Sequence, residues 1–466
     1  MCGITAYTGK GRALPFLIQG LEKLEYRGYD SAGITLVSNG ELVTVKTKGA
    51  LAALKEKLAQ YDLDQHAGIG HTRWATHGVP SNLNSHPHTN LSNTISIVHN
   101  GIIENYQSIK EGLGMQGYTL ASQTDSEVIV HLLDYYYEGD MKAVLRKVMS
   151  YLEGSYALCV VSVDEPDTIY AAKKESPMIL GMDDTASFCA SDIPALISYT
   201  KDMITLEDGQ MAVLKPGHVS VYDGQGREVE PKFIHIPYDL EAAQKNGYDT
   251  FMEKEMHEQP YVIRETLRGR VEDRIIMPEL DGIDLHAFDH VYFLACGTAY
   301  HAALYAQYLG REWMDIPITC VPASEFRYGN YPVNDRTFCV FVSQSGETAD
   351  TLAALKMCLK AGAATLTLTN VLDSSLARLA DITLYTCAGP EIAVASTKAY
   401  TTQLVMLAAM MVKLAYNSGY EVKDLDQFIA DLKEIPNAVE AMLDRKNTMA
   451  EYARLLADQR DAYFIG

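Results

Sequence analysis

The stretch TFCVFVSQSGETAD, residues 337–350, decides the fold of the second half of this chain. Its apolar run at 337–342 predicts a buried strand, the small polar residues at 343–348 predict a turn, and a helix is expected over 349–361. A strand that leads through such a turn into a helix is typical of a parallel sheet with helices on both faces. Ligands bind such sheets at the carboxyl ends of the strands, where this turn lies.

The same order of elements occurs on either side of this stretch. Residues 291–295 predict a strand, Cys296-Gly297-Thr298 a turn and the following residues a helix through Tyr308, while 364–369 predict a third strand. Alternating strands and helices predict an α/β domain with a doubly wound parallel sheet.

The turn at 343–348 has the character of a phosphate cradle. Hydroxyls and backbone N–H groups meet there at the positive end of the predicted helix. The turn is not a nucleotide P-loop, because no Gly-Lys-Ser/Thr follows it, and the glycines of a dinucleotide fingerprint are absent. The alternative is a serine-rich capping turn that binds no ligand. At the preceding turn, Cys296 has no evident base and is expected to be packed, which leaves Thr298 as the better sugar contact.

The first half of the chain has a different pattern. Short alternating segments predict antiparallel strands, including a hairpin over Ile34–Lys48 folded about Asn39-Gly40, and helices are expected at 13–24 and 125–138. This half is therefore expected to be α+β. A polar stretch at about 238–260 predicts a linker that leads into a helix ending near Pro260.

Cysteine at position 2 is a candidate nucleophile. If Met1 is removed, the free α-amine of Cys2 has a pKa of about 7.7 to 8.0 and could take the thiol proton and return it to leaving ammonia. Taken alone, a cysteine at this position is more often incidental.

Three later segments supply partners for such a nucleophile. Arg73 and Trp74 follow a predicted strand, and a guanidinium there could grip a carboxylate through two parallel hydrogen bonds. Asn100 and Gly101 follow the apolar strand 94–98 and could form an oxyanion hole. Asp125 opens a predicted helix, where the alternative role is that of an N-terminal cap.

These segments carry a resemblance. MCGI at the start, LEYRGYDSAG (24–33), HTRWATHG (71–78), HNGIIEN (99–105) and TDSEVI (124–129) resemble class II glutamine amidotransferases in order and spacing. The resemblance implies a four-layer (αββα) N-terminal-nucleophile fold with Cys2 as nucleophile and base. It further implies that Asn100 with Gly101 forms the oxyanion hole. The implied glutamine-binding residues are Arg73 for the carboxylate, Asp125 for the ammonium, and Trp74, Thr76 and His77 in a loop that closes over glutamine. Within that loop, Trp74 is implied to gate ammonia passage.

The second half resembles the sugar isomerase (SIS) fold, and ASEFRY (323–328), SQSGETADT (343–351) and VASTKA (394–399) narrow the match. The whole chain resembles the isomerizing glutamine:fructose-6-phosphate aminotransferase family. The resemblance implies an enzyme that hydrolyses glutamine and passes ammonia to fructose 6-phosphate, giving glucosamine 6-phosphate, the first step towards UDP-N-acetylglucosamine. It implies no cofactor, and a homodimer formed through the SIS half. The implied sugar-phosphate-binding residues are Thr298, Ser343, Gln344, Ser345, Thr348 and Val394.

The expected domain limits follow from these patterns. They are 1–238 for the glutaminase domain, 239–260 for the linker, 261–455 for the first SIS domain and 456–466 for the start of a second SIS unit. The final DAYFIG resembles DHVYFL at 289–294, so a truncated chain is expected, with a chance similarity as the alternative. The resemblance assigns sugar isomerisation to the second SIS unit, of which this chain contains only the start. The sequence therefore does not predict the isomerase step for this chain.

Composition excludes several classes of partner. The formal charge of −21 disfavours nucleic acid and anionic membranes, and no apolar run is long enough to span a bilayer. Eight scattered cysteines without CxxC pairs, and the absence of a signal peptide pattern, predict a cytoplasmic protein. No metal site is expected, and His86 and His88 are expected to lie in a solvent-facing loop.

Two rival hypotheses remain at this stage. The glutaminase could serve a different sugar-phosphate acceptor, because hydroxyl-rich turns recognise phosphate better than sugar identity. Alternatively, the second half could be a non-enzymatic phosphosugar sensor and the first half a structural remnant.

Overall fold

The computed structural model describes residues 2–25, 28–38, 40–61, 63–74, 78–236 and 247–463. The chain divides into two compact units, Met1–Ala243 and Gln244–Gly466. No helix in these ranges combines the length and the apolarity that a bilayer-spanning segment requires.

The first unit consists of antiparallel strands and five α-helices in its described residues. Its elements in chain order are β1 (Gly3–Gly9), α1 (Ala13–Leu24), β2 (Ser31–Ser38), β3 (Glu41–Lys48), α2 (Leu51–Leu58), β4 (Ala67–Arg73), β5 (His88–Thr89), β6 (Ile95–Ile103), α3 (Tyr106–Met115), α4 (Glu127–Tyr136), α5 (Met141–Met149), β7 (Gly154–Ser162), β8 (Ile169–Lys174), β9 (Ile179–Met182), β10 (Ala186–Ala190), β11 (Asp202–Thr205), β12 (Met211–Lys215), β13 (His218–Tyr222), β14 (Glu228–Val229) and β15 (Lys232–His235).

These strands form two sheets, ordered β15-β11-β9-β10-β1-β4-β2-β3 and β14-β13-β12-β8-β7-β6-β5. Successive residues of β1 point to opposite faces of the first sheet: Ile4 packs into the core between the sheets and Tyr7 into the core beneath α1. A third core joins the second sheet to α4 and α5. The layers therefore run helix, sheet, sheet, helix, as the resemblance implied.

Local expectations for this unit were largely confirmed. The hairpin pairs β2 with β3 so that Ser38 lies opposite Glu41, although Asn39 of its turn is outside the described residues. Helix α1 has the predicted limits, and α4 covers the middle of the helix predicted at 125–138.

The second unit contains a parallel sheet with helices on both sides. Its elements are α6 (Phe251–Leu267), β16 (His290–Ala295), α7 (Gly297–Trp313), β17 (Ile318–Pro322), α8 (Ala323–Tyr328), β18 (Thr337–Ser343), α9 (Ala349–Lys360), β19 (Ala364–Thr369), α10 (Ser375–Leu379), β20 (Ile382–Tyr385), α11 (Lys398–Asn417), α12 (Leu425–Leu443) and α13 (Lys446–Leu456).

The five strands are parallel and lie in the order β17-β16-β18-β19-β20. The connections leave β16 and β18 in opposite directions, so the crevice between their carboxyl ends is the topological switch point of the sheet. The turn at 296–298 follows β16, and the turn at 343–348 follows β18. The topology therefore brings together the two turns that the sequence singled out for sugar phosphate.

The prediction that a helix ends near Pro260 was wrong. Helix α6 continues through Pro260 to Leu267. Proline cannot donate to the carbonyl of Met256 one turn earlier, but the side-chain amide of Gln259 donates to that oxygen at 3.1 Å. The helix therefore occupies the end of the range 239–260 expected as linker, of which residues 239–246 lie outside the described part. The other domain limits stay predictions, and 464–466 are also not described.

Candidate active site

Sheet topology places Cys2 beside Arg73 and Trp74. Strand β1 begins one residue after Cys2, β4 ends at Arg73, and the two strands pair so that Gly3 lies opposite Thr72. The backbone N–H of Trp74 donates to Cys2 Sγ at 3.3 Å, and the thiol lies 3.6 Å from the Trp74 carbonyl oxygen. The thiol is half-buried. The antiparallel pairing of β1 with β4 thus brings together two segments that are far apart in sequence.

Asn100 reaches this thiol region from the second sheet. Its side-chain nitrogen donates to the carbonyl oxygen of Cys2 at 3.0 Å and to Ser191 Oγ at 2.9 Å. Its side-chain oxygen lies 2.9 Å from Nε2 of His71. The amide N–H2 group of Asn100 therefore faces the backbone carbonyl of Cys2.

Gly101 occupies a backbone conformation that suits only glycine. Its φ is +127°, and a Cβ at this position would lie 2.1 Å from the carbonyl oxygen of Ser155 on the paired strand. The sequence had suggested that Asn100 and Gly101 follow the strand, but both lie within β6.

Arg73 and Asp125 supply opposite charges near Cys2. Arg73 is buried and donates from Nη2 to the carbonyl oxygen of Gly78 at 3.1 Å. Burial lowers the pKa of its guanidinium, and negative charge on Cys2 and Asp125 opposes that shift. Asp125 is also buried, and its Oδ2 accepts from the backbone N–H of Ile103 at 2.8 Å. The capping alternative for Asp125 was wrong, since Ser126 occupies the cap position of α4.

Trp74 presents its ring at the surface of the site. The indole is 36% exposed and meets the ring of Tyr29 edge-on, with centroids 5.3 Å apart. Gly28 lets the backbone approach, because a Cβ there would lie 2.6 Å from the carbonyl carbon of Arg73. Thr76 and His77, the other two residues expected to bind glutamine, lie outside the described residues.

The expectation of a solvent-facing loop at His86 and His88 was wrong. Both are buried and join His71 and His99 in one cluster, in which the rings of His71 and His86 stack at 4.2 Å. Burial lowers the pKa of all four imidazoles, that of His71 to about 3. Among the described residues, no group of three or more His, Cys, Asp or Glu side chains is arranged to hold a metal ion.

The turn at 343–348 is ordered by its own hydroxyls. Ser343 Oγ lies 2.9 Å from Thr348 Oγ1 and accepts from the backbone N–H of Gly346 at 3.0 Å, while Ser345 Oγ accepts from Glu347 N at 3.1 Å. Gln344 fixes the base of the turn, because its carbonyl oxygen accepts from the backbone N–H of Asn370 at 3.1 Å. The turn runs directly into α9, so the positive end of that helix adjoins these hydroxyls.

The remaining sugar candidates lie on neighbouring segments. Thr298 is exposed in the first turn of α7, and Val394 is 71% exposed in the segment before α11. Cys296 is half-buried and accepts a long contact from Thr351 Oγ1 at 3.7 Å, which agrees with a packing role.

Sequence reasoning missed two residues that organise the first site. His71 was quoted only as part of a motif, and Ser191 was not considered. Ser191 Oγ accepts from both Asn100 and the backbone N–H of Ile4, the latter at 2.7 Å. Its partner Ile4 is 187 positions away, so no local pattern could have revealed the contact.

Comparisons with known proteins match both halves of the chain. A family model described as a glutamine amidotransferase domain matches residues 71–198, and one described as a SIS domain matches 284–413. The glutamine--fructose-6-phosphate aminotransferase [isomerizing] of Caldanaerobacter subterraneus is 46% identical over all of this chain and 78% of its own length. That of Aquifex aeolicus is 41% identical, covering all of this chain and 77% of its own length.

This chain belongs to the isomerizing glutamine–fructose-6-phosphate aminotransferase family. Members of the family are enzymes, and the chain contains both kinds of domain that its motifs predicted. A solved structure described as the C-terminal domain of glucosamine-fructose-6-phosphate aminotransferase from Francisella tularensis is 34% identical, with a TM-score of 0.43. The match covers 46% of this chain and 62% of the chain in that solved structure.

Proposed function

We propose that this chain hydrolyses L-glutamine at Cys2 and passes the ammonia to fructose 6-phosphate, giving glutamate and glucosamine 6-phosphate. The main support is the arrangement around Cys2: its thiol accepts from the backbone N–H of Trp74, the Asn100 amide donates to its backbone carbonyl, and a buried guanidinium and carboxylate lie nearby. Membership of the aminotransferase family supplies the acceptor and the product.

The chemistry at Cys2 follows from these groups. Once Met1 is removed, the α-amine of Cys2 takes the thiol proton while Sγ attacks the side-chain amide carbon of glutamine. Asn100 Nδ2, which gives up one of its two present acceptors, and Gly101 N donate to the oxyanion of the tetrahedral adduct. The C–N bond then breaks, the protonated amine returns its proton to the leaving ammonia, and water hydrolyses the thioester to glutamate.

Charged groups hold the two ends of glutamine. Arg73 pairs with the α-carboxylate and Asp125 with the α-ammonium, because each is the opposite charge and both lie near Cys2. Trp74 covers the site, and an apolar passage behind it would keep ammonia from being protonated in bulk water. Thr76 and His77 belong to the same proposal through the motif that they share with Arg73.

The second unit holds the acceptor. Ser343, Ser345 and Thr348 present hydroxyls at the start of α9, Gln344 belongs to the same turn, and Thr298 and Val394 line the sugar. An anionic phosphate is favoured at this position by the helix dipole and by hydroxyl donors. Our proposal includes no metal or cofactor at this site.

Two further properties belong to this proposal. A cytoplasmic location fits the eight cysteines, none of which forms a disulfide within the described residues, and a homodimer through the second unit follows from the family resemblance. Light scattering of the purified chain tests the dimer.

The test of the enzymatic proposal uses a matched pair of cysteine variants. Cys2→Ala should abolish ammonia release from glutamine while fructose 6-phosphate binding persists, and Cys387→Ala, which removes an exposed thiol in the second unit, should change neither. Hydrolysis retained by Cys2→Ala would remove Cys2 as the nucleophile. Calorimetric titration with fructose 6-phosphate, glucose 6-phosphate and a fructosamine phosphate separates this acceptor from the alternatives.

A further inference from the structure

The orientation of the Asn100 amide depends on a residue that has no role in the chemistry described above. A backbone carbonyl can only accept, so the side-chain atom of Asn100 that lies 3.0 Å from the carbonyl oxygen of Cys2 must be its nitrogen. The oxygen of the same amide then faces Nε2 of His71 at 2.9 Å. An amide oxygen only accepts as well, so Nε2 of His71 must carry a proton.

A second contact requires the same tautomer. The backbone carbonyl oxygen of His99 lies 3.1 Å from Nε2 of His71. The Nε2 hydrogen is therefore shared between two acceptors, one on the backbone of β6 and one on the side chain of Asn100. Since His71 lies in β4 and Asn100 in β6, this contact links the two sheets directly beside Cys2.

The imidazole of His71 is held in the neutral form. The ring is fully buried and stacks on His86, and its Nδ1 has no hydrogen-bond partner within the described ranges. Protonation would bury a charged donor without an acceptor, which is costly. Burial accordingly lowers the pKa of His71 to about 3. At neutral pH the ring thus has one hydrogen, and that hydrogen points at Asn100.

We propose that His71 is a positioning residue for glutamine hydrolysis: its Nε2–H fixes the side-chain amide of Asn100 with the N–H2 group towards Cys2. Ser191 assists from the other side, because its Oγ accepts from the same nitrogen at 2.9 Å. Without His71, the Asn100 amide can turn over and present its oxygen, which would repel a developing oxyanion. The inference rests on the proposed glutaminase function and adds a residue that the reaction scheme does not name.

The test compares two amides at position 71 in the full chain. In His71→Gln the side-chain nitrogen falls near the place of Nε2 and can still donate to Asn100, whereas in His71→Asn it falls near Nδ1 and cannot. We expect kcat for ammonia release to fall about 10- to 100-fold in His71→Asn and to stay within about fivefold in His71→Gln, with KM for glutamine changed less than about threefold in both. The fraction of competent sites is measured by stoichiometric labelling of Cys2 with 6-diazo-5-oxo-norleucine.

A double-mutant cycle separates positioning from a general loss of structure. His71→Asn should reduce kcat less than about twofold in an Asn100→Ala background, because the group that it positions is already gone. His131→Gln, a change at another fully buried histidine of this unit, is the control and should leave kcat unchanged. The inference is overturned if His71→Asn equals His71→Gln, or if its effect is the same with and without Asn100. If Cys2→Ala still hydrolyses glutamine, the proposed function itself fails, and that result is visible independently of position 71.

Discussion

Three glycines make room for the chemistry around Cys2. A Cβ on Gly3 would lie 2.7 Å from Thr72 Oγ1, and one on Gly28 would lie within 2.9 Å of three backbone atoms of Arg73 and Trp74. Gly101 is restricted both by its positive φ and by the carbonyl oxygen of Ser155. Close backbone approach at these positions is what lets Cys2, Arg73 and Asn100 converge.

Alanine at position 101 should therefore be much more harmful than alanine at position 112. Gly101→Ala forces backbone atoms apart and should lower the free energy of unfolding by more than about 2 kcal/mol, with loss of ammonia release. Gly112 lies inside α3 with no heavy atom within 4 Å of an added Cβ, so Gly112→Ala should stabilise by about 0.5 to 1 kcal/mol. Urea denaturation measures both, and equal effects would contradict the account of Gly101.

Removal of the Arg73 guanidinium should weaken glutamine binding. Arg73→Ala leaves the substrate carboxylate without its partner. We expect a loss of about 2 to 3 kcal/mol of binding free energy, which raises KM for glutamine roughly 30- to 150-fold. Arg146→Ala removes an exposed arginine of the same unit and should not change KM. An unchanged KM in Arg73→Ala would remove Arg73 from the carboxylate site.

Single residues could be predicted where the motif was complete. Cys2, Arg73, Asn100 and Asp125 converge as the motif order implied, although their catalytic roles stay predictions. His86 and His88 were misplaced because sequence spacing gives no measure of burial, and their buried neighbours come from β4 and β6.

At the scale of elements, β4, β5 and β6 carry three of the four clustered histidines into the interior. Each is neutral in the folded unit because burial lowers its pKa, yet each takes a proton near pH 6.5 when unfolded. The unfolded chain therefore binds more protons below pH 6.5, and the free energy of unfolding falls as the pH falls from 6.5 towards the folded pKa. Each histidine contributes up to about 1.4 kcal/mol per pH unit.

This linkage can be measured one histidine at a time. His86→Asn should reduce the slope of unfolding free energy against pH between 6 and 5 by about 1 kcal/mol per pH unit. His218→Asn, at an exposed position of the same unit, is the control. Urea titrations at several pH values give the slope, and an unchanged slope in His86→Asn would show that His86 is not held neutral.

The turn between β18 and α9 should bind the sugar phosphate through its hydroxyls. Ser345→Ala should raise the Kd for fructose 6-phosphate about tenfold, since one hydrogen bond to a charged group contributes about 1.5 kcal/mol. Thr383→Ala, near the amino end of β20 and away from the switch point, should leave Kd unchanged. Calorimetric titration measures the Kd for fructose 6-phosphate in each protein. Equal Kd values for wild type and Ser345→Ala would remove this serine from the phosphate site.

Elements were predictable where apolar periodicity was strong. Strands β16, β18 and β19 and helix α9 were predicted within one residue at each end, whereas α7 continues to Trp313, beyond its predicted end at Tyr308. The edge strands β17 and β20 were missed, because they are short and only partly buried. Their positions on either side of the sheet depend on chain topology, which no local window contains.

At the scale of the whole molecule, the sequence predicted two units of different fold class, and both were confirmed. The change from antiparallel alternation to strand-turn-helix repeats is visible without a structure. The core between the two sheets of the first unit could not be predicted from the sequence, because it joins residues from β1, β6, β7 and β10 that are distant in sequence.

The central claim, that this chain is a glutaminase through Cys2, is tested most directly by ammonia release. The measurement follows ammonia and glutamate from L-glutamine, with and without fructose 6-phosphate, using the 466-residue chain after mass spectrometry has verified removal of Met1. We predict equal amounts of ammonia and glutamate without fructose 6-phosphate, less free ammonia than glutamate with it, and neither product from Cys2→Ala. A folded chain that begins at Cys2 and releases no ammonia under either condition would contradict the account.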